Sequence, residues 1–155
     1  MRKSHHFACR TVWTGAAEGP TRDYDSYSRT YEVSVEGKPT LTGSSAGEYK
    51  GDESKHNPED LLLVALSSCH MLSYLALAAR EGILVTSYVD EAEATMAMKD
   101  RRVRFTDALL KPRVTVAPGA DRAKAEALHE RAHEICFIAN SVNFPVRHQP
   151  VIEIG

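Results

Sequence analysis

At 155 residues, 43% hydrophobic and 26% charged, the chain falls within the range of a single globular domain, residues 1–155, that can bury a core. A formal net charge of -2 and the lack of any long Lys/Arg run give no electrostatic basis for a nucleic-acid or membrane partner. Three cysteines, Cys9, Cys69 and Cys136, make an odd count that argues against a structural disulfide framework.

The start, "MRKSHHFACR", is basic but has no apolar stretch behind it, so no secretory signal is expected and a cytoplasmic location is. "FACRTVWTG" is expected to be a first strand ending at Gly15, and "AAEGPTRDYDSYS" is polar and turn-rich, as an exposed loop would be. "RTYEVSVEGKPTLTGSS" is expected to form a hairpin turning at Glu36-Gly37-Lys38. Asn57-Pro58 is a strong helix start, an Asn N-cap with Pro at the first helical position, and the helix should run to about Arg80 and stop at Gly82. Its apolar run, Leu61 to Ala79, is long enough to raise a membrane-spanning reading. Ser67, Ser68, His70, Ser73 and Tyr74 within it favour a buried core helix.

Two long strands are expected next, "ILVTSYVDEAEATMAM" and "VRFTDALLKPRVTVA", joined by the charged turn of "KDRRVR". A second helix should begin near Asp121 and continue through Cys136. "VNFPVRHQPVIEI" should close the chain as an edge strand, because its prolines cannot donate to a ladder. The order β-β-β-α-β-β-α-β is an α+β pattern, two helices against antiparallel sheet.

Cys69 lies about three turns into the first helix, beyond the first turn where the helix dipole is strongest, so an outside cation is needed to activate it. Leu62, Ala65, Leu66, Cys69, Leu72 and Ala76 share an i, i+3/i+4 stripe, which by itself makes Cys69 a small core residue. Cys136 aligns with Ala125, His129, Ala132 and His133 on the second helix. The residues alone leave three readings open: core packing, a disulfide-competent pair if the two helices meet, or a metal site. The metal reading takes His129, His133 and Cys136 at i, i+4 and i+7, with Cys69 or His70 as a fourth ligand for zinc.

"NPEDLLLVALSSCHM" together with "AHEICFIANSV" resembles the OsmC/Ohr family of osmotically inducible and organic hydroperoxide resistance proteins. That family opens a helix with Asn-Pro-Glu and carries a reactive cysteine ten residues past the Glu, the separation of Glu59 and Cys69 here. The resemblance covers both helical regions and the strand order. It implies an OsmC-like fold in an intertwined homodimer, with active sites at the subunit interface and thiol-dependent reduction of peroxides. It also implies roles: Cys69 as peroxidatic cysteine, Cys136 as resolving cysteine, an N-terminal-loop arginine beside the sulfur, and Glu59 holding that arginine. The family's Gly-rich loop around the arginine is absent, and the loop here offers Arg22 in "PTRDY" and Arg29 in "YSRTY". Arg29 is preferred because it directly precedes the hairpin strand, with Arg22 as the alternative. His70 stands where the hydroperoxide branch usually has an apolar residue, which marks a divergent branch. Read alone, it is a histidine hydrogen-bonded beside the core. Trp13, Tyr24, Tyr27 and Tyr31 either line a substrate pocket or simply pack.

A guanidinium beside a thiol of ordinary pKa favours the thiolate, and its fork can bind a carboxylate on one edge while facing sulfur with the other. The implied partners are an organic hydroperoxide as substrate and an external dithiol, such as a lipoylated protein, as reductant. No cofactor is expected. The alternative class is a non-catalytic dimer that binds an apolar ligand between its subunits.

Overall fold

The computed structural model describes residues 4–155; Met1, Arg2 and Lys3, which supply the basic start, lie outside the described residues. The chain divides into two compact units, the first ending at Leu61 and the second spanning Leu62–Gly155.

In the first unit, β1 (Arg10–Trp13), β2 (Tyr31–Ser34) and β3 (Leu41–Gly43) form an antiparallel sheet in that order. β1 is shorter than expected. Cys9 lies just before it, exposed, and residues Thr14–Glu18 make a turn of 3-10 helix instead of extending the strand. Gly15 is required there, because a Cβ would meet the carbonyl oxygen of Ser28 at 2.4 Å. The β2–β3 hairpin turns where expected, with Gly37 at φ 74° and the Lys38 amide bonded to the Val35 carbonyl at 3.0 Å.

Helix α1 spans Pro58–Arg80. The Asn57 side chain accepts the Asp60 amide at 2.8 Å, and the Asp60 carboxylate accepts the Asn57 amide at 3.3 Å, a reciprocal cap that satisfies two otherwise orphaned donors. Gly82, at φ 71°, ends it, and the Ile83 amide returns to the Ala78 carbonyl.

The second unit corrects the expected strand count. Each of the two expected long strands is divided between two sheets: β4 (Val85–Asp90) from β5 (Glu93–Lys99), and β6 (Arg102–Leu110) from β7 (Pro112–Val116). One sheet has the order β4-β7-β9 and the other β5-β6-β8, with β8 (Val146–His148) and β9 (Val151–Ile154). The switch point is held by Asp90, whose carboxylate accepts the Lys111 amide at 2.7 Å and the Ser67 hydroxyl at 2.5 Å. Hydrophobic alternation runs unbroken through such a corner, so it reads as one strand. The charged turn is a tight hairpin in which Asp100 and Arg101 both take positive φ, 50° and 62°, between the paired Lys99 and Arg102. The closing segment is likewise two strands, not one. Both lie at sheet edges, as proline predicts, and both pair in parallel, β8 with β6 and β9 with β7, so the sheets are mixed.

Helix α2 spans Arg122–Ile135, capped by the Asp121 carboxylate on the Lys124 amide at 3.0 Å. Two apolar clusters fill the unit. The larger gathers Tyr74, Leu77, Val114, Val116, Leu128 and Ile152 among others. The smaller gathers Leu66, Ala108, Leu110 and Val146. α1 therefore is a core helix, though not with the stripe its hydropathy suggests. Its buried residues are Leu66, His70, Tyr74, Leu77 and Ala78, while Leu72 is 62% exposed. A histidine and a tyrosine occupy the inward face, and a leucine points out.

Candidate active site

Cys69 sits in the middle of α1, half-buried, one position off the inward face. Cys136 is not part of α2 but caps its C-terminus, in extended conformation (φ -67°, ψ 112°), and is 1% exposed. The structure makes the two thiols neighbours. Burial pushes the Cys136 thiol up to about 11, and the adjacent Cys69 sulfur adds to that rise, while the backbone amides of Ala139 and Ile138 act to lower it. All three cysteines are free thiols, and Cys9 is exposed in the other unit.

Arg29 and Glu59 lie in the first unit. The Arg29 guanidinium stacks on the Tyr27 ring at 3.8 Å and on the Tyr24 ring at 4.8 Å. It donates to the Tyr27 carbonyl at 2.6 Å and, through Nη2, to the Tyr24 carbonyl. Tyr24 and Tyr27 therefore cradle the arginine of their own loop. Arg22 is exposed. Glu59, in the first turn of α1, keeps a buried Oε2 with no hydrogen-bond partner. Together with burial and Asp60, its charge raises the Tyr31 hydroxyl above the usual phenol range, burial being the largest cause. A carboxylate oxygen held out of water with nothing donating to it is a costly arrangement.

The second unit also assembles four histidines that were not foreseen as a group. His70 Nε2 and His129 Nδ1 lie 3.0 Å apart, with the rings stacked at 5.3 Å. His148 on β8 lies 5.5 Å from His70 and 5.8 Å from His133, between ring centroids. Tyr74 stacks on His129 at 4.0 Å. His129 is fully buried, although its neighbour Glu130 on the same helix is exposed. Burial, followed by the neighbouring imidazoles, lowers His70 to about 4 and His129 to about 3. Both rings are thus neutral at physiological pH, and His70 is the hydrogen-bonded core histidine that its position suggested. The i, i+4 spacing of His129 and His133 was the available signal; His148 lies too far along the chain for spacing to reveal.

The zinc alternative finds no geometry. Among the described residues, no three His, Cys, Asp or Glu side chains are arranged to hold a metal ion. His70 Nε2 and His129 Nδ1 are turned toward each other, one donating and the other accepting, so these two nitrogens bond each other.

A cleft of about 350 Å³ runs along α1 between Leu63, Val64, Ser67 and Met71 on one side and Tyr88 of β4 and Ala92 of the β4–β5 connection on the other, and it is mostly apolar.

Comparison with known proteins adds the following. The description "OsmC-like protein" fits residues 51–150. An OsmC-like protein of unknown function from Vibrio cholerae superposes with a TM-score of 0.88 at 28% identity, covering 96% of this chain and 100% of that one. Organic hydroperoxide resistance proteins from Legionella pneumophila and Elizabethkingia anophelis have the same fold at lower identity. The first gives a TM-score of 0.68 at 17% identity, with coverage of 98% and 99%. The second gives 0.71 at 14%, with both chains covered to 100%. No curated protein matches the chain.

Proposed function

Since the chain belongs to the OsmC-like protein family, we propose that it is a cysteine-based peroxidase that reduces organic hydroperoxides through Cys69 and Cys136. The observation that carries this reading is the pairing of a half-buried thiol at mid-helix with a buried thiol at the end of α2. The names of the Legionella and Elizabethkingia neighbours supply the substrate class.

The Cys69 thiolate attacks the O–O bond of the hydroperoxide. An S–O bond forms, the alkoxide leaves and takes a proton to become the alcohol, and Cys69 is left as sulfenic acid. The Cys136 thiolate then attacks that sulfur, the S–O bond breaks, and hydroxide leaves as water. An external dithiol, a lipoylated protein being one of suitable chemistry, restores both thiols by exchange. Such a cycle needs a reducing compartment, which fits the cytoplasm.

Arg29 is the proposed activating cation and Glu59 the carboxylate that holds it. Glu59 and Cys69 are ten residues apart on α1, roughly 15 Å along its axis, too far for one arginine to serve both in the same chain. A homodimer removes the difficulty by placing Glu59 and Arg29 of one copy against Cys69 of the other. Two observations support it: the unpartnered Glu59 Oε2, and the apolar residues Val64 (56% exposed) and Leu72 (62% exposed) on α1.

Stopped-flow oxidation with cumene hydroperoxide and with hydrogen peroxide, followed by thiol counting, tests the reading. The organic peroxide should react much faster, with loss of the Cys69 and Cys136 thiols together. A reaction no faster than that of free cysteine would overturn it.

A further inference from the structure

The resolving thiol has an unfavourable position. Cys136 stands at the C-terminal end of α2, where the carbonyl ends of the helix repel negative charge, and it is almost fully buried. Yet its part in the proposed cycle requires it to act as a thiolate when it attacks Cys69, and again as the leaving thiolate when the disulfide is reduced. The following turn opposes both penalties. The Ala139 amide lies 3.5 Å from Cys136 Sγ, and the Ile138 amide reinforces it.

This turn is fastened chiefly by the side chain of Asn140. Asn140 Nδ2 donates to the Cys136 carbonyl at 3.0 Å and to the Glu134 carbonyl at 2.9 Å. Its own backbone amide also donates to the Cys136 carbonyl at 3.0 Å. Asn140 thus closes the loop from Cys136 back onto itself and onto the last turn of α2, which fixes where the amides of Ile138 and Ala139 point. Ser141 adds a lesser tie, its hydroxyl donating to the Phe137 carbonyl at 2.7 Å. Phe137 is 81% exposed, while Ile138 and Ala139 rest against the smaller apolar cluster; on that seat the hydrogen bonds set how the turn is closed.

We propose that Asn140 is a positioning residue for the resolving step: by clamping the Cys136–Ser141 turn it aims the Ala139 amide at Cys136 Sγ and so stabilises the thiolate that attacks Cys69 and later leaves it. The inference rests on the proposed peroxidase reading for its place in the cycle, but the amide–sulfur geometry stands without it. An amide that donates to a thiolate counts for more than one donating to a neutral group, because the bond is charge-assisted.

Asn140→Asp tests it. The substitution keeps the size and the backbone amide but removes both side-chain donors and sets a carboxylate beside two carbonyl oxygens. In a Cys9→Ser/Cys69→Ser background, Cys136 is the remaining thiol, and the pH profile of its alkylation by iodoacetamide reads thiolate formation with no peroxide chemistry involved. The profile should move to higher pH, with a rate at fixed pH about tenfold lower, on the scale of one weakened charge-assisted bond. Asn140→Gln, which keeps a donor, should recover part of the loss. With all cysteines present, closure of the Cys69–Cys136 disulfide should slow about as much, while formation of the Cys69 sulfenic acid should not slow with it. An unchanged alkylation profile for Asn140→Asp overturns the inference. If the profile moves but wild-type protein forms no disulfide with peroxide, the peroxidase reading fails and the positioning role stands. Equal slowing of sulfenic acid formation and disulfide closure would assign Asn140 a general structural role and overturn the proposal.

Discussion

Lowering the pH from about 7.5 to about 5 should destabilise the second unit through the buried pair His70 and His129. In the folded protein these titrate at about 4 and about 3. In the unfolded chain each imidazole titrates near 6.5. Between those limits the unfolded state binds more protons than the folded one, so stability is fully present above about pH 6.5 and is lost as the pH falls toward about 4. At pH 5 the loss is about 2 kcal/mol per imidazole, or about 4 kcal/mol for the pair, a large share of a typical folding free energy. Tyr74, stacked on His129, and Glu130, 3.3 Å from His148 at the surface, do not change this sign, since the phenol stays neutral and the acidic side chain faces the outer histidine. Urea unfolding should show a stability slope that is small at about pH 7.5 and approaches two protons near about pH 5. Replacing both rings with apolar ones, His70→Leu/His129→Phe, should flatten the slope while leaving stability at neutral pH nearly unchanged, because both members of the bonded pair are removed together. A slope that survives in the double variant would place the proton uptake at groups other than His70 and His129.

Three further outcomes are expected. Arg29→Ala should slow alkylation of Cys69 at neutral pH about tenfold, the usual effect of a lost neighbouring charge, and Arg22→Ala should do less; an effect confined to Arg22→Ala would transfer the role to that residue. Co-expressed Cys69→Ser and Glu59→Ala subunits, each inactive alone, should regain activity as heterodimers purified with two tags, whereas verified heterodimers without turnover would mean that each site is built within one chain. Gly51→Ala should cost about 3 kcal/mol in urea unfolding, at the upper end for overpacking, because its Cβ would lie 1.5 Å from the Ser45 carbonyl oxygen, and a near-neutral result would show that this loop yields.

The parts of the fold legible in the sequence are those set by local chemistry. Asn57, Pro58 and Gly82 bracket α1 within a residue, and Asp121 caps α2, because caps are read from a few adjacent side chains. The strand divisions at Asp90 and Lys111 were not legible. There the alternation continues while the hydrogen-bond partner changes sheet, a choice made by long-range pairing. The inward face of α1 was misread for a related reason. His70 and Tyr74 score as polar but are buried by His129 and the Ala125 carbonyl, which come from more than fifty residues away. At the candidate site, the ten-residue spacing pointed to Cys69 and Glu59. The capping position of Cys136 depends on where α2 stops, and helix ends are the least certain feature of a sequence reading.

Peptide mapping after one equivalent of an organic hydroperoxide reads the Cys69–Cys136 chemistry itself. A reversible Cys69–Cys136 crosslink with Cys9 still reduced is expected, with no turnover in Cys69→Ser and a trapped sulfenic acid on Cys69 in Cys136→Ser. A crosslink through Cys9, or thiols that remain reduced throughout, would contradict that pairing.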